Sequence, residues 1–196
     1  APGCLQESFE HFRSTRTWLK VKGISIRFQR FDSFAVVDGT QDAFAAFKNL
    51  AFGKTDKPFL FCFGGVGNGK THLCQALVTE LNARGIDTRF FTVAMFLNEI
   101  KATMYDNTTA KWIEQFCKVP GLVLDDWGVE IGTEWAVSQL ENIINERYQE
   151  RLIRVVTSNK DPSVLEKISE RIYSRMRDAD ISVTVSNSGA DYRRQQ

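Results

Sequence analysis

The sequence predicts an α/β fold with a mostly parallel five-stranded sheet between two layers of helices. Short apolar runs of strand length alternate with longer segments whose apolar residues recur every three to four positions. One of these runs, residues 59–63, leads directly into a glycine-rich loop and then into a helical pattern. Alternation of this kind is typical of parallel sheets that are buried on both faces.

The composition is ordinary for a globular protein, since 43% of the 196 residues are hydrophobic and 25% are charged. This length fits one domain with a substantial core. The net charge of +1 indicates no global basic field, so any nucleic-acid site must be a local patch. Four scattered cysteines without a C-x-x-C pair, and no apolar run of membrane-spanning length, predict a reduced, cytoplasmic protein without a membrane partner.

The first part of the chain is less regular. Residues 5–20 are predicted to form a short helix, which Gly23 ends, and residues 24–34 read as an aromatic linker without clear periodicity. Residues 41–52 are predicted to form a helix, and the regular alternation starts at Phe59.

From that point strands and helices alternate along the chain. The predicted strands cover residues 59–63, 88–93, 121–124, 153–158 and 181–185, and the predicted helices cover residues 70–84, 94–104, 133–150 and 162–178. Ligands of such sheets bind at the carboxyl ends of the strands, so the polar residues that follow each strand are the candidate site residues.

The loop after the first of these strands matches the phosphate-binding pattern G-x-x-x-x-G-K-[ST]. Glycines let successive backbone N–H groups converge on an anion, and the following helix directs its positive end at the same point. Lys70 is predicted to reach the β- and γ-phosphates of ATP or ADP, and the Thr71 hydroxyl to ligate Mg²⁺. The alternative is a glycine-rich turn without a ligand. The predicted cofactor-binding residues of this loop are Gly64, Gly65, Val66, Gly67, Asn68, Gly69, Lys70, Thr71 and His72.

Two carboxylates follow the strand that ends at residue 124. Asp125 is predicted to hold the metal, directly or through water, and Asp126 to orient or deprotonate an attacking water. The alternative is that the pair caps a turn before Gly128.

Asn159 ends the next strand and could contact the γ-phosphate or the attacking water, although asparagine after a strand is usually a turn residue.

Two arginines, Arg171 and Arg175, lie one turn apart on the helix predicted over residues 162–178. An arginine held there could cross a subunit interface and touch the γ-phosphate of a neighbouring subunit, which would make self-association part of the activity. The alternative is a solvated or intramolecularly paired arginine, as exposed arginines usually are.

Spaced motifs connect these sites into one pattern. They occupy residues 23–34, 64–73, 124–130, 144–148, 156–159, 170–176 and 191–193. Together they resemble the ATPase domain of bacterial replicative helicase loaders of the DnaC/DnaI type. These loaders belong to the AAA+ superfamily and are close to the IstB-type transposition helpers.

The resemblance implies a role for each matching position. The implied roles are Walker A for Lys70 and Thr71, Walker B for Asp125 and Asp126, sensor 1 for Asn159, the arginine finger for Arg175 and sensor 2 for Arg193. It also implies that residues 1–22 are the remnant of an N-terminal region, or a helix and linker. Residues 23–196 would then form the AAA+ domain, without a separate C-terminal lid domain.

The resemblance further implies a function. Members of the family bind the hexameric replicative helicase, help to place it on single-stranded DNA and couple its release to ATP hydrolysis. Lys101, Tyr105 and Lys111 would form the local DNA-contacting patch, whereas the nearby Trp112 could belong to the core. The alternatives are an IstB-type transposition helper and a nucleotide-gated adaptor with negligible turnover; a small-molecule kinase fits the paired acids less well.

Overall fold

The computed structural model describes residues 18–21, 24–27, 29–105, 108–128 and 134–192. The strands are β1 (Trp18–Val21), β2 (Ile24–Arg27), β3 (Phe59–Phe63), β4 (Thr88–Thr92), β5 (Gly121–Asp125), β6 (Ile153–Ser158) and β7 (Ser182–Ser186). The last five form one sheet in the order β4-β5-β6-β3-β7, with every neighbouring pair parallel. The predicted five-stranded parallel sheet is thus confirmed.

Seven helices pack around this sheet in the described part of the chain. They are α1 (Gln41–Ala51), α2 (Lys70–Ala83), α3 (Val93–Ala102), α4 (Thr109–Lys118), α5 (Glu134–Gln149), α6 (Pro162–Glu166) and α7 (Glu170–Met176). A 3-10 turn at Phe31–Ser33 precedes α1. One buried cluster joins α1 and α2 to the sheet, and the other joins α3, α4, α5 and α7 to it. This arrangement is the three-layer sandwich that the sequence predicts.

Strand β3 shows how the sheet is buried on both faces. Phe59 and Phe61 belong to the cluster with α5, whereas Leu60 and Cys62 belong to the cluster with α1 and α2. Successive side chains of a strand point to opposite faces, so an unbroken apolar run is what a doubly covered strand requires. Strand β3 therefore lies inside the protein, between β6 and β7, and delivers the glycine-rich loop at a fixed point.

The N-terminal prediction is wrong where the structure can test it. Residues 18–21 form a strand rather than the end of a helix, and residues 24–27 form a second strand in place of an irregular linker. The two strands pair antiparallel, with Trp18 opposite Arg27, so cross-strand hydrogen bonds override the weak helical spacing. The rest of the predicted helix lies outside the described residues.

The helix predicted over residues 162–178 is two helices, α6 and α7. The break falls at Ser169, whose hydroxyl accepts a hydrogen bond from the Ile172 backbone N–H and so caps a new helix. The buried apolar residues are Leu165, Ile172 and Met176, so the apolar stripe continues across the break. A cap thus interrupts a pattern whose periodicity alone indicates one helix.

A buried arginine fixes α5 beside the site-bearing strands. Arg147 is fully buried and donates hydrogen bonds to the carbonyl oxygens of Phe116, Val119, Pro120 and Ile153. Burial lowers the pKa of its guanidinium to about 9. These carbonyls precede β5 and begin β6, so Arg147 ties the two strands that carry the acidic and polar site residues to the same helix.

Candidate active site

The loop between β3 and α2 has a backbone shape that favours glycine at several positions, among them Gly64 and Gly67. Gly64 has φ 148° and Gly67 has φ 75°. A Cβ at Gly64 would lie 1.9 Å from the Asn187 carbonyl oxygen, and one at Gly67 would lie 1.8 Å from Asp191 Oδ1. The conformation disfavours a side chain at both positions, and at Gly64 the Asn187 main chain also leaves no space for one. The segment that follows β7 packs directly on this loop, with Tyr192 N–H donating to the Gly67 carbonyl at 3.1 Å.

The ammonium group of Lys70 lies at the centre of the loop. Its Nζ donates to the Gly64 carbonyl at 2.8 Å, to the Gly65 carbonyl at 2.6 Å and to Asn68 Oδ1 at 3.0 Å. The residue is only 6% exposed, and burial lowers the pKa of its ammonium group. Asp125 and Asp126 act on this cation electrostatically, but no carboxylate in the described part of the chain forms an ion pair with Nζ, so the ammonium group is suited to binding an anion.

Asp125 ends β5 beneath the loop and is 2% exposed. Thr71 Oγ1 donates to its Oδ2 at 2.7 Å, and Thr157 Oγ1 donates to its Oδ1 at 2.5 Å. Burial raises the pKa of the carboxyl group, and the two hydroxyl hydrogen bonds oppose that rise. A buried carboxylate that is held by neutral hydroxyls leaves a negative charge that a cation could balance.

The Thr71 and Asp125 oxygens fit Mg²⁺, which prefers oxygen ligands. No group of three or more His, Cys, Asp or Glu in the described ranges could hold a metal ion. Mg²⁺ does not require such a cage, because it is usually bound by one or two carboxylates together with waters and substrate phosphates. The residues present therefore suit a magnesium ion that arrives with a phosphate ligand.

Asp126 follows in a left-handed conformation, with φ 60°. This conformation is uncommon outside glycine, although aspartate adopts it more often than most residues do. Its N–H donates to Thr157 Oγ1 at 3.0 Å, and its Oδ1 accepts a hydrogen bond from Asn159 Nδ2 at 2.5 Å. The hydroxyl of Thr157 thus contacts both acidic residues, which the sequence motifs do not predict.

These groups converge on one cleft of about 250 Å³ at the carboxyl ends of the strands. Its lining residues are Val66, Gly67, Asn68, Gly69, Lys70, Thr71, Asp125, Asp126, Thr157 and Asn159. A phosphate loop, a buried acid beside a threonine hydroxyl and a second acid held by an asparagine form the arrangement expected of a nucleoside triphosphatase.

Comparison with known proteins identifies the family. The family model for the bacterial DnaA ATPase domain matches residues 26–182. The chain belongs to this family. It is also 36% identical over 150 residues to the chromosomal replication initiator protein DnaA of Pseudothermotoga lettingae, a match that covers 74% of this chain and 33% of that protein. The chain thus spans about one third of the length of the curated relatives that it matches.

Solved structures show the same AAA+ fold. A replication initiator DnaA bound to AMPPCP and single-stranded DNA has a TM-score of 0.74 and 24% identity, and the match covers 82% of this chain and 50% of that one. The DnaC helicase loader has a TM-score of 0.69 and 20% identity, with 81% and 96% coverage. The predicted AAA+ ATPase class is confirmed. The family match is to DnaA, and the likeness to the DnaC loader shows a shared fold, so the DnaC type is not singled out.

Within this AAA+ domain, His72 lies apart from the cleft. Its Nε2 is 3.0 Å from the Arg30 carbonyl oxygen and 3.3 Å from Ser33 Oγ, and its ring packs edge-on against Phe34 at 5.3 Å. A Cβ at Gly69 would lie 2.6 Å from the Phe34 ring, so the buried Phe34 side chain packs directly against the phosphate loop. The assignment of His72 as a cofactor-binding residue stays a prediction.

Arg175 is held by its own subunit in this structure. Its Nη2 donates to Asn145 Oδ1, its Nη1 donates to the Arg171 carbonyl at 3.2 Å, and its guanidinium lies 5.0 Å from the Tyr148 ring centroid. It does not line the cleft. An action on a neighbouring subunit would require Arg175 to exchange these contacts for new ones. The predicted sensor 2 residue, Arg193, lies outside the described residues.

The predicted DNA-contacting patch spans α3, α4 and their connection. Tyr105 is 93% exposed, and Lys101 and Lys111 are exposed on the flanking helices. Trp112 instead packs on Phe116, with ring centroids 4.2 Å apart, and so joins the core. The exposed part of the patch therefore offers one aromatic ring and two cations. No helix in the described part of the chain is long and apolar enough to span a membrane.

Proposed function

We propose that this chain is the ATPase domain of a replication-initiation protein that binds Mg·ATP and hydrolyses it slowly. The convergence of Lys70, Asp125 and Asp126 on one cleft carries this proposal. The glycine-rich loop and the N-terminus of α2 would bind the phosphates, and Thr71 would hold Mg²⁺ together with Asp125. When bound, Mg²⁺ would neutralise negative charge on the phosphates.

The hydrolytic step follows from the contact between Asp126 and Asn159. Asn159 donates to Asp126 Oδ1, which fixes the carboxylate, and the other carboxylate oxygen accepts no hydrogen bond from the described residues, so it would be the atom that takes the proton. A water oriented by Asp126 would attack the γ-phosphorus, the bond to the β–γ bridging oxygen would break, and ADP and phosphate would leave. Lys70 would balance the charge that develops on the phosphate oxygens.

The finer function we propose is loading of a replicative hexameric helicase onto single-stranded DNA. Its supports are the fold likeness to the DnaC loader and the exposed patch of Lys101, Tyr105 and Lys111. Aromatic rings with neighbouring cations suit stacking and backbone contacts with single strands. An IstB-type helper would prefer duplex DNA and a transposase, and a nucleotide-gated adaptor would bind ATP with negligible turnover.

A DNA-binding and hydrolysis assay tests this proposal. We expect the protein with Mg·ATP to bind single-stranded DNA better than duplex DNA and to hydrolyse ATP faster when single-stranded DNA is present. Tyr105→Ala should weaken single-strand binding about tenfold, because stacking on one base contributes on the order of 1–3 kcal/mol. Tyr173→Ala, on α7, is the control. Equal binding by both variants, or a preference for duplex DNA, would count against the loader assignment.

Arg175→Ala is expected to lower ATP hydrolysis about 10³-fold with little change in ATP affinity, because an arginine finger acts on the transition state. The neighbouring Arg177→Ala is the matched control, since Arg177 is the exposed C-cap residue of α7 and its guanidinium contacts the side chain of Tyr173. Steady-state phosphate release measures both variants.

A mixture of two inactive variants tests whether Arg175 acts on the nucleotide of a neighbouring subunit or on that of its own subunit. A mixture of Arg175→Ala and Lys70→Ala proteins should regain hydrolysis, because one subunit supplies the phosphate loop and the other supplies the arginine. If Arg175→Ala hydrolyses ATP at the wild-type rate, or if the mixture stays inactive, Arg175 is not a finger that acts in trans.

A further inference from the structure

A reciprocal pair of amide side chains joins the end of β7 to the phosphate loop. Asn68 Nδ2 donates to the Asn187 carbonyl oxygen at 2.5 Å, and Asn187 Nδ2 donates to the Asn68 carbonyl oxygen at 3.1 Å. Both residues are fully buried. Each acceptor is a main-chain carbonyl, so the orientation of both side-chain amides follows from the contact itself. We call this pair, Asn68 and Asn187, the amide clamp.

The amide clamp reaches the Lys70 ammonium group. Asn68 Oδ1 accepts a hydrogen bond from Lys70 Nζ at 3.0 Å, while the other end of the same amide is bound to Asn187. The Asn187 N–H donates to the Phe63 carbonyl at 2.7 Å, at the last residue of β3. A continuous set of hydrogen bonds therefore connects the ends of two neighbouring strands to the cation of the loop.

The second polar atom of Asn187 shows what the side chain contributes. Its Oδ1 is buried and accepts no hydrogen bond from the described residues. An unpartnered buried amide oxygen destabilises the folded state, and an aliphatic side chain would avoid that cost. The useful part of the amide is thus its N–H donor, which is directed at the phosphate loop.

We propose that Asn187 is a positioning residue that holds the phosphate loop, and through Asn68 the Lys70 ammonium, in the shape that receives a polyphosphate. This inference rests on the proposed binding of nucleotide at the loop. Asn187 would touch no phosphate itself. Its effect is preorganisation, because a loop that already has its bound shape needs no ordering when the ligand arrives.

Asn187→Ala tests the proposal, and Asn82→Ala is its matched control. Asn82 lies near the opposite end of α2, where its side chain makes hydrogen bonds of 3.0 Å to the Val78 carbonyl and to both main-chain groups of Thr88. Both variants lose a hydrogen-bonded amide side chain: that of Asn187 contacts the loop before α2, and that of Asn82 lies in the last turn of α2. Hydrogen exchange of the free protein and calorimetry with Mg·ATP and Mg·tripolyphosphate measure the outcome.

We expect Asn187→Ala to speed amide exchange at residues 63–71 by about tenfold and to weaken binding of both ligands by about tenfold. Tripolyphosphate lacks the nucleoside, so an equal loss for both ligands places the defect at the loop. Asn82→Ala should leave loop exchange and both affinities within about twofold of the wild type, even if its Tm falls.

Two results would overturn the proposal: loop exchange in Asn187→Ala that stays as slow as in the wild type, or equal losses in both variants, which would indicate general destabilisation. If Asn187→Ala does not fold, Asn187→Ser provides the same comparison, because its shorter hydroxyl cannot replace the amide donor. The exchange measurement needs no ligand. Failure of the wild type to bind Mg·ATP would therefore reject the proposed function while the amide clamp is still tested.

Discussion

Lys70→Ala is expected to lower ATP hydrolysis by about two to three orders of magnitude, the loss typical of removing a main electrostatic contact to a transition state. The reason is the position of the ammonium group: three loop oxygens lie 2.6–3.0 Å from Nζ, and no carboxylate among the described residues forms an ion pair with it. In the variant, the loop carbonyls of Gly64 and Gly65 would face the incoming phosphate without a cation between them. Binding and hydrolysis should therefore both suffer.

The measurement is Mg·ATP calorimetry together with phosphate release. Lys48→Ala is the control, because Lys48 is exposed on α1, where its ammonium lies 5.4 Å from the Phe44 ring. We expect Lys48→Ala to bind and hydrolyse ATP like the wild type. A Lys70→Ala protein that keeps its Tm and hydrolyses ATP within tenfold of the wild type would contradict the assignment of the cleft.

The strands and the phosphate loop could be predicted because their signals are local. Each sheet strand is a short apolar run, and the loop is a contiguous pattern that begins at Gly64, so neither depends on knowing the rest of the fold. The paired acids could be predicted for the same reason, because they come directly after a buried strand in the sequence. The prediction of one helix over residues 162–178 was wrong because apolar periodicity does not show a helix break. The break lies at Ser169, whose hydroxyl caps a second helix although the apolar stripe continues.

The contacts that organise the site could not be predicted in this way. Thr157 contacts both acids only because β6 lies beside β5 in the sheet, and no spacing in the sequence gives that order. Asn187 is 119 positions from Asn68, and the two meet because β7 returns beside β3. The position of Thr157 and Asn187 at the end of a buried strand indicates that each lies near the site. Which residue each one contacts depends on the order of the strands in the sheet.

Asp125→Asn is expected to abolish Mg²⁺-dependent hydrolysis while it stabilises the free protein. Burial raises the pKa of the Asp125 carboxyl group, so the fold disfavours its ionised form. For an acid of this kind, stability is lost as the pH rises above the ordinary value of 3.8, and the cost is present at neutral pH when no cation is bound. The amide removes this charge and can still contact the Thr71 and Thr157 hydroxyls, one as acceptor and the other as donor.

Without Mg²⁺, we expect the Tm of Asp125→Asn to rise by about 2–4 °C, which corresponds to about 1 kcal/mol for a domain of this size. Calorimetric unfolding with and without Mg·ATP measures this, and Mg²⁺ should add less stability to the variant than to the wild type. Asp126→Asn is the matched control, since Asp126 is exposed: the Tm of this variant should not change, whereas its rate of ATP hydrolysis should fall.

A lower Tm for Asp125→Asn with unchanged Mg²⁺ dependence would show that the buried acid is structural. A higher Tm with lost hydrolysis would instead show that the fold holds a buried negative charge at a stability cost, for the cation that accompanies the nucleotide.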